Sequence, residues 1–152
     1  MPGLGLLSSA PSIDGYAVSA TAVMVNGNTI FTVANGPIII RSLVSLCITT
    51  NDGTASTLQY SVTPTVGAAP QTISAASASL ASAAAGASVT LAGTALSTAA
   101  LLNANGPNLI ANPGTIFCPV GTIKVVIGVG STTGTWRHYL WYTALANGVL
   151  VS

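Results

Sequence analysis

The sequence predicts an all-β fold, an antiparallel β-sandwich or jelly-roll-like barrel. Three observations carry that expectation. Short runs rich in Val, Ile and Thr recur along the chain, Asn, Asp, Gly and Pro turn signals separate them at regular intervals, and several runs alternate with the period of two that puts successive side chains on opposite faces. At 152 residues one domain is expected. A chain of this size buries roughly two-thirds of its unfolded surface without needing a disulfide or a metal clip.

Residues 1–15 read as an irregular N-terminal arm, punctuated by Pro2, Gly3, Gly5, Pro11 and Gly15, with Leu4, Leu6 and Leu7 available to pack on a neighbour. Residues 16–152 form the single β domain. Asn26-Gly27 is a strong hairpin signal, so 17–34 is expected to be a hairpin whose second strand is Thr29 to Val33. After Asn35-Gly36-Pro37 comes a long apolar run, Ile38 to Thr50. Its two alternating sets, Leu43, Ser45, Cys47 and Thr49 against Ser42, Val44, Leu46 and Ile48, are both weakly polar. That pattern fits a central strand covered on both faces, or one with its second face in a subunit contact. Arg41, the one charge in this run, reads as an edge or interface ion-pair donor.

Asn51-Asp52-Gly53 closes that strand. Thr57 to Thr63 then has Leu58, Tyr60 and Val62 on one side and Thr57, Gln59, Ser61 and Thr63 on the other, a strand with one wet face. Residues 65–71 form a loop. The Ala-rich stretch 74–85 reads equally as a short helix by Ala propensity or as an extended surface segment, with only Leu80 to anchor it. Ser88 to Leu91 reads as strand, 92–104 as an irregular or one-turn helical crossover, and Asn105-Gly106-Pro107 and Asn112-Pro113-Gly114 as turns. Thr115 to Cys118 is a short strand ended by Pro119. Gly121 to Val129 and Thr135 to Thr143, joined by Ser131-Thr132-Thr133-Gly134, are expected to pair as a hairpin.

Charge is the extreme of the composition: three basic and two acidic residues, net +1, against 50% hydrophobic residues. An ordinary soluble domain carries about a quarter charged residues. Near-zero net charge gives little repulsion between copies, so the chain reads as a homo-oligomeric assembly component. Three scattered cations, Arg41, Lys124 and Arg137, supply no phosphate-binding stripe, and nucleic acid is not expected as a direct ligand. Mean hydropathy is +0.72, yet no stretch supplies the run of eighteen or more apolar residues that a spanning helix needs, and no aromatic girdles mark a membrane barrel. No membrane partner is expected. The start of the chain lacks the basic and apolar regions of a secretory signal. Cys47 and Cys118, in apolar surroundings, read as buried thiols, with a single disulfide as the alternative.

Both tryptophans, the only histidine and one of the cations gather in Trp136-Arg137-His138-Tyr139-Leu140-Trp141-Tyr142. Strand alternation sets Trp136, His138, Leu140 and Tyr142 on one face and Arg137, Tyr139 and Trp141 on the other. Two aromatic faces imply two packed layers, one the domain core and the other an interface, where aromatics and Arg are enriched. A glycan platform uses the same ingredients but needs nearby amide or acid groups, for which Asn51, Asp52 and Gln59 are the candidates. His138 has no Cys, Asp or Glu at ligand spacing, so no metal and no cofactor is expected. The only carboxylate pair on offer is Asp14 with Asp52, no nucleophile-elbow motif surrounds any serine, and the glycine-rich pieces match no phosphate-cradling fingerprint. No catalytic residue is assigned, and the chain is not expected to be an enzyme.

Several segments carry a resemblance: Thr29-Ile30-Phe31-Thr32-Val33 through Ile38-Ile39-Ile40 and Leu43 to Thr50, Leu58 to Gly67 with Pro64-Thr65-Val66-Gly67, Pro113-Gly114-Thr115-Ile116, and Gly134 to Tyr142 followed by Thr143-Ala144-Leu145. In these the chain resembles small structural proteins of tailed bacteriophages. The resemblance implies a virion protein assembled in the host cytoplasm. Its expected role is that of a capsid decoration or cement protein on the capsid surface, a symmetric oligomer, by resemblance a trimer, in contact with the major capsid protein. On that reading the contact elements are the arm with Leu4, Leu6 and Leu7 and the strands carrying Arg41, Arg137, Tyr139 and Trp141. A fibre domain binding a host-surface glycan, or a self-assembling tail or tube protein, would be built from the same parts.

Overall fold

The computed structural model describes residues 13–67, 69–91, 96–103 and 116–152. The arm residues Leu4, Leu6 and Leu7, and the turns at 105–107 and 112–114, lie outside the described residues. Twelve strands are described: β1 (Ile13–Val18), β2 (Ala22–Val23), β3 (Thr29–Ala34), β4 (Ile38–Cys47), β5 (Leu58–Pro64), β6 (Gln71–Thr72), β7 (Ser88–Thr90), β8 (Leu101–Asn103), β9 (Ile116–Cys118), β10 (Gly121–Ile127), β11 (Thr135–Ala144) and β12 (Leu150–Val151). They form a seven-stranded sheet, ordered β1-β11-β4-β7-β8 with β2 also on β11 and β9 also on β4, and a five-stranded sheet, ordered β12-β3-β10-β5-β6. Each pairing between these strands is antiparallel. The two sheets pack as a β-sandwich, the expected fold class. Strand β1 starts at Ile13, within the segment read as an arm.

The inner faces meet in one core. Trp136, Leu140, Ile38, Ile40, Leu43 and Val89 come from the seven-stranded sheet, and Phe31, Val33, Leu58, Tyr60, Val62, Ile123 and Val125 from the five-stranded one. At roughly 25 cal/mol per Å² of apolar surface removed from water, these side chains dominate the stabilisation of the fold.

Two expected hairpins are instead crossovers. The Asn26-Gly27 turn forms, with Gly27 at φ +84° and Asn28 N–H donating to the Val25 carbonyl at 3.0 Å. The strand before it pairs with β11, however, and β3 after it pairs with β10 and β12 in the other sheet. Likewise β10 and β11 lie in different sheets, so 122–143 is not a hairpin. The two crossovers fasten to each other: Met24 N–H donates to Thr132 Oγ1 at 2.8 Å and Thr132 N–H to the Met24 carbonyl at 3.0 Å. Turn chemistry specifies a local reversal; it does not specify which partner each arm then finds.

The Ala-rich stretch forms no helix but an irregular segment at the surface, with Ala76, Ala78, Ser79, Ser82 and Ala85 exposed and more anchors than Leu80 alone. No helix occurs among the described residues, and Leu80, Ala83 and Ser74 are buried. The segment runs along the open edge of β5, where Ser77 Oγ accepts from Leu58 N–H and Ser74 Oγ from Tyr60 N–H, at 3.1 and 3.0 Å. Serine hydroxyls satisfy the donors of a sheet edge that would otherwise stay open, and this competes successfully with Ala helix propensity. The same stretch half-covers the polar face of β5, since Gln59 Nε2 donates to the Ser74 carbonyl at 2.7 Å and Ser61 is buried.

Cys47 and Cys118 are free and buried. Cys118 pairs with Ile38 at one end of β4 and Cys47 ends the same strand, so roughly 30 Å of extended chain separates them. Burial raises both thiols, Cys118 to about 12.

Candidate interaction face

Strand β11 distributes its side chains as alternation requires. Trp136, His138 and Leu140 are buried, while Arg137, Tyr139 and Trp141 point out of the sandwich. Register then assembles the outer face of the seven-stranded sheet in rows, because residues opposite one another across a ladder share a face. Tyr16 of β1 stands opposite Trp141, which stands opposite Ser42; Val18, Tyr139 and Val44 form the next row, and Arg137 and Leu46 the one after. Three rings cluster at the centre. Tyr16 and Trp141 have centroids 5.2 Å apart, Tyr139 and Trp141 6.3 Å, and Tyr16 and Tyr139 6.5 Å. Tyr16 remains 53% exposed and Trp141 38%, so the cluster is a surface feature rather than a second core.

The two expected arginines flank this cluster. Arg137 Nε donates to Thr21 Oγ1 at 2.8 Å. Arg41 sits where the β4–β11 register slips: Trp141 pairs with Ser42 but Tyr142 with Ile40, leaving Arg41 as the extra residue of a bulge. It therefore belongs to a central strand, not an edge. The bulge also reverses the parity of β4, so Ile38 and Ile40 before it and Leu43, Ser45 and Cys47 after it all face the core. Arg41 Nε donates to Thr143 Oγ1 at 2.8 Å, and the Thr143 hydroxyl donates to Asp14 Oδ1 at 2.6 Å. This relay through a threonine stands where a direct ion pair was expected.

Tyr16 is the ring that sequence reasoning missed. Its only signal was the alternation Tyr16, Val18 against Gly15, Ala17, which says nothing about lying beside Trp141. Gly15 belongs to the same arrangement: the Tyr142 ring, on the neighbouring strand, occupies the space a Cβ at Gly15 would need.

The groups considered for chemistry do not converge. Asp14 lies at the Ile38 end of the seven-stranded sheet and Asp52 beyond the Cys47 end, so the two carboxylates form no pair. Asp52 is held below the usual carboxylate range by Thr54, whose N–H it accepts at 2.8 Å. Asn51 is buried under the sheet end, its Oδ1 accepting from Gly134 N–H and Trp136 Nε1 at 2.8 and 3.3 Å, and Gln59 belongs to the other sheet. Asp52, Asn51 and Gln59, the polar groups a glycan platform would need, all lie away from the aromatic cluster, and only Asp14, one row along β1 from Tyr16, is near it. Among the described residues, no group of three or more His, Cys, Asp or Glu side chains could hold a metal ion.

His138 occupies a buried polar chain. Its Nδ1 lies 2.6 Å from Ser45 Oγ, Ser45 Oγ lies 2.8 Å from Tyr60 Oη, and the Tyr60 hydroxyl donates to the Val89 carbonyl at 3.1 Å. A carbonyl can only accept, so the single Tyr60 proton points at Val89. Ser45 must then donate to Tyr60, and His138 Nδ1–H to Ser45. Burial holds His138 neutral, down to about 4, and pushes Tyr60 up. With its proton committed to Tyr60, Ser45 has none to give an imidazole base, and the pair is not arranged as a nucleophile and its activator.

No family model matches this chain, and no curated protein and no solved structure is significantly similar to it.

Proposed function

We propose that this chain is a non-enzymatic structural protein of a tailed-bacteriophage virion, a capsid decoration or cement protein that binds the head shell, and its own copies, through the outer face of the seven-stranded sheet. The observation that supports this reading is the concentration on that face of Tyr16, Val18, Tyr139, Trp141 and Phe117, all at least partly exposed and flanked by Arg41 and Arg137. A contiguous apolar surface with aromatics and arginine is the composition of a contact surface rather than of a free one. Five charged residues in the whole chain fit the same role, because apolar contact area stabilises an assembly whereas exposed ion pairs contribute little. A lasting contact of this kind buries about 2,000 Å² or more.

Cryo-electron microscopy of intact virions tests the proposal. The expected result is density for this chain at regular positions over the shell, with the Trp141 face against the major capsid protein or a second copy. Density only in fibres or the tail, or a Trp141 face left open to solvent on the shell, would replace the cement reading with host attachment or tail architecture.

A further inference from the structure

A second feature, distinct from the aromatic face, is the edge on which the seven-stranded sheet ends. Strand β1 is outermost in that sheet and six residues long, whereas the other outermost strands, β6, β8 and β12, have two or three residues. Short edge strands are one way in which sheets avoid pairing with another chain, and Lys, Pro and bulges are others. The sequence of β1, Ile-Asp-Gly-Tyr-Ala-Val, has neither Lys nor Pro, and its register on β11 runs without a slip. Ser19 N–H donates to the His138 carbonyl at 3.0 Å, which fixes the phase of that ladder. Backbone groups in an antiparallel pair point alternately toward and away from the partner strand, so Ile13, Gly15 and Ala17 spend theirs on β11. The N–H and C=O of Asp14, Tyr16 and Val18 therefore point to the open side, where no described residue takes them up.

We propose that β1 is the seam of a two-fold homodimer, in which it pairs antiparallel with β1 of a second copy, Tyr16 opposite the partner's Tyr16. The edge itself selects a second copy and this register. Its outward groups are centred on Tyr16, so a two-fold axis there sets Tyr16 against the partner's Tyr16 and Asp14 against the partner's Val18, and every one of those groups finds a partner. The one charge on the edge then meets an apolar residue. The two Asp14 carboxylates stay roughly 14 Å apart along the seam, beyond the screening length of about 8–10 Å. A net charge of +1 adds little further repulsion between copies. Residues opposite one another across a ladder share a face, so the Tyr16 and Trp141 rings of the two copies join into one line on a continuous outer face. Ile13, Tyr16 and Val18, 50%, 53% and 43% exposed in the single chain, are the side chains such a seam would cover. Pairing of this kind is a property of the free chain and does not depend on a virion role.

Sedimentation velocity and amide hydrogen exchange, read by NMR across a concentration series of the whole, unaltered chain, test the seam. The expected result is a monomer–dimer equilibrium in which the Asp14, Tyr16 and Val18 amides exchange fast at the dilute end and slowly once dimer forms, while Gly15 and Ala17 are protected throughout. Two variants at an exposed position then test the register. Val18→Glu sets a like charge opposite the partner's Asp14 and Val18→Lys an opposite one, so the first should dimerise roughly fivefold or more weakly than the second. A chain that stays monomeric up to millimolar concentration, a dimer whose Asp14, Tyr16 and Val18 amides still exchange fast, or equal dimerisation of the two variants would each overturn the proposal. A dimer with fast β1 amides that Trp141→Ala disrupts would overturn the seam and leave the aromatic face as the contact. The exchange pattern of the unaltered chain decides the matter even if a variant folds poorly.

Discussion

The outer faces of the two sheets differ far more than their inner faces do. Inward, both sheets present Ile, Leu, Val and aromatic side chains to a shared core. Outward, the five-stranded sheet carries the polar, half-buried Gln59, Thr63, Thr122 and Lys124, partly covered by the Ala-rich stretch, whereas the seven-stranded sheet shows Tyr16, Val18, Val44, Leu46, Tyr139 and Trp141. The core places no demand on either outer face. Three neighbouring rings on one outer face only, Tyr16 and Trp141 exposed and Tyr139 half-buried, are therefore not explained by folding, whereas single exposed apolar residues would need no explanation. The difference separates side chains that hold the domain together from side chains available to hold it to something else.

The largest expected effect comes from deleting an inward ring. Trp136→Ala removes a fully buried side chain and one donor to Asn51 Oδ1, and should cost about 3–5 kcal/mol in urea unfolding. A loss below about 1 kcal/mol would mean that the core does not depend on that ring.

Next comes acid. His138 is neutral in the fold, lowered from 6.5 to about 4, so the unfolded chain binds the extra proton between those values. Stability contributed by the neutral ring is complete above pH 6.5 and is lost as pH falls towards 4, by on the order of 3 kcal/mol. Urea midpoints measured across that window should fall monotonically; flat midpoints would show that the ring is solvated in both states.

Gly15→Ala should be intermediate. A methyl group there displaces the Tyr142 ring, at about 1–3 kcal/mol, and near-UV circular dichroism should report the moved tyrosine. An unchanged spectrum and midpoint would place that ring elsewhere.

The smallest effect on the monomer, and the sharpest for the comparison, is Trp141→Ala. It should change monomer unfolding by no more than about 1 kcal/mol, as expected for a partly exposed side chain, yet weaken self-association or shell binding by roughly tenfold or more in sedimentation velocity. Lys124→Ala on the opposite face is the control and should leave association unchanged. Equal effects from both variants would erase the distinction between the two faces.

Much of β11 was legible in advance, because the period of two that sorts Trp136, His138 and Leu140 from Arg137, Tyr139 and Trp141 is a property of the extended backbone itself. The core side of β5 and the buried state of both cysteines were legible for the same local reason. Arg41 was readable as an oddity but not as a bulge, since a bulge exists only relative to the strand alongside. The serines at 74 and 77 looked like helix or surface composition because their partners, Leu58 and Tyr60 N–H, belong to another element.

By itself, then, the order of residues determined the all-β class, the approximate positions of the strands, the turns at 26–27 and 131–134, and which side chains of β11 share a face. Only the tertiary structure decided that those turns join different sheets, that Tyr16 stands beside Trp141, that Arg41 reaches Asp14 through Thr143, and that the His138 proton is spent on Ser45. Alternation and turn chemistry act over a few residues. The choice of sheet, register and buried partner is settled by non-local burial and by the need to pair every buried donor, and those terms exist only once distant strands have met.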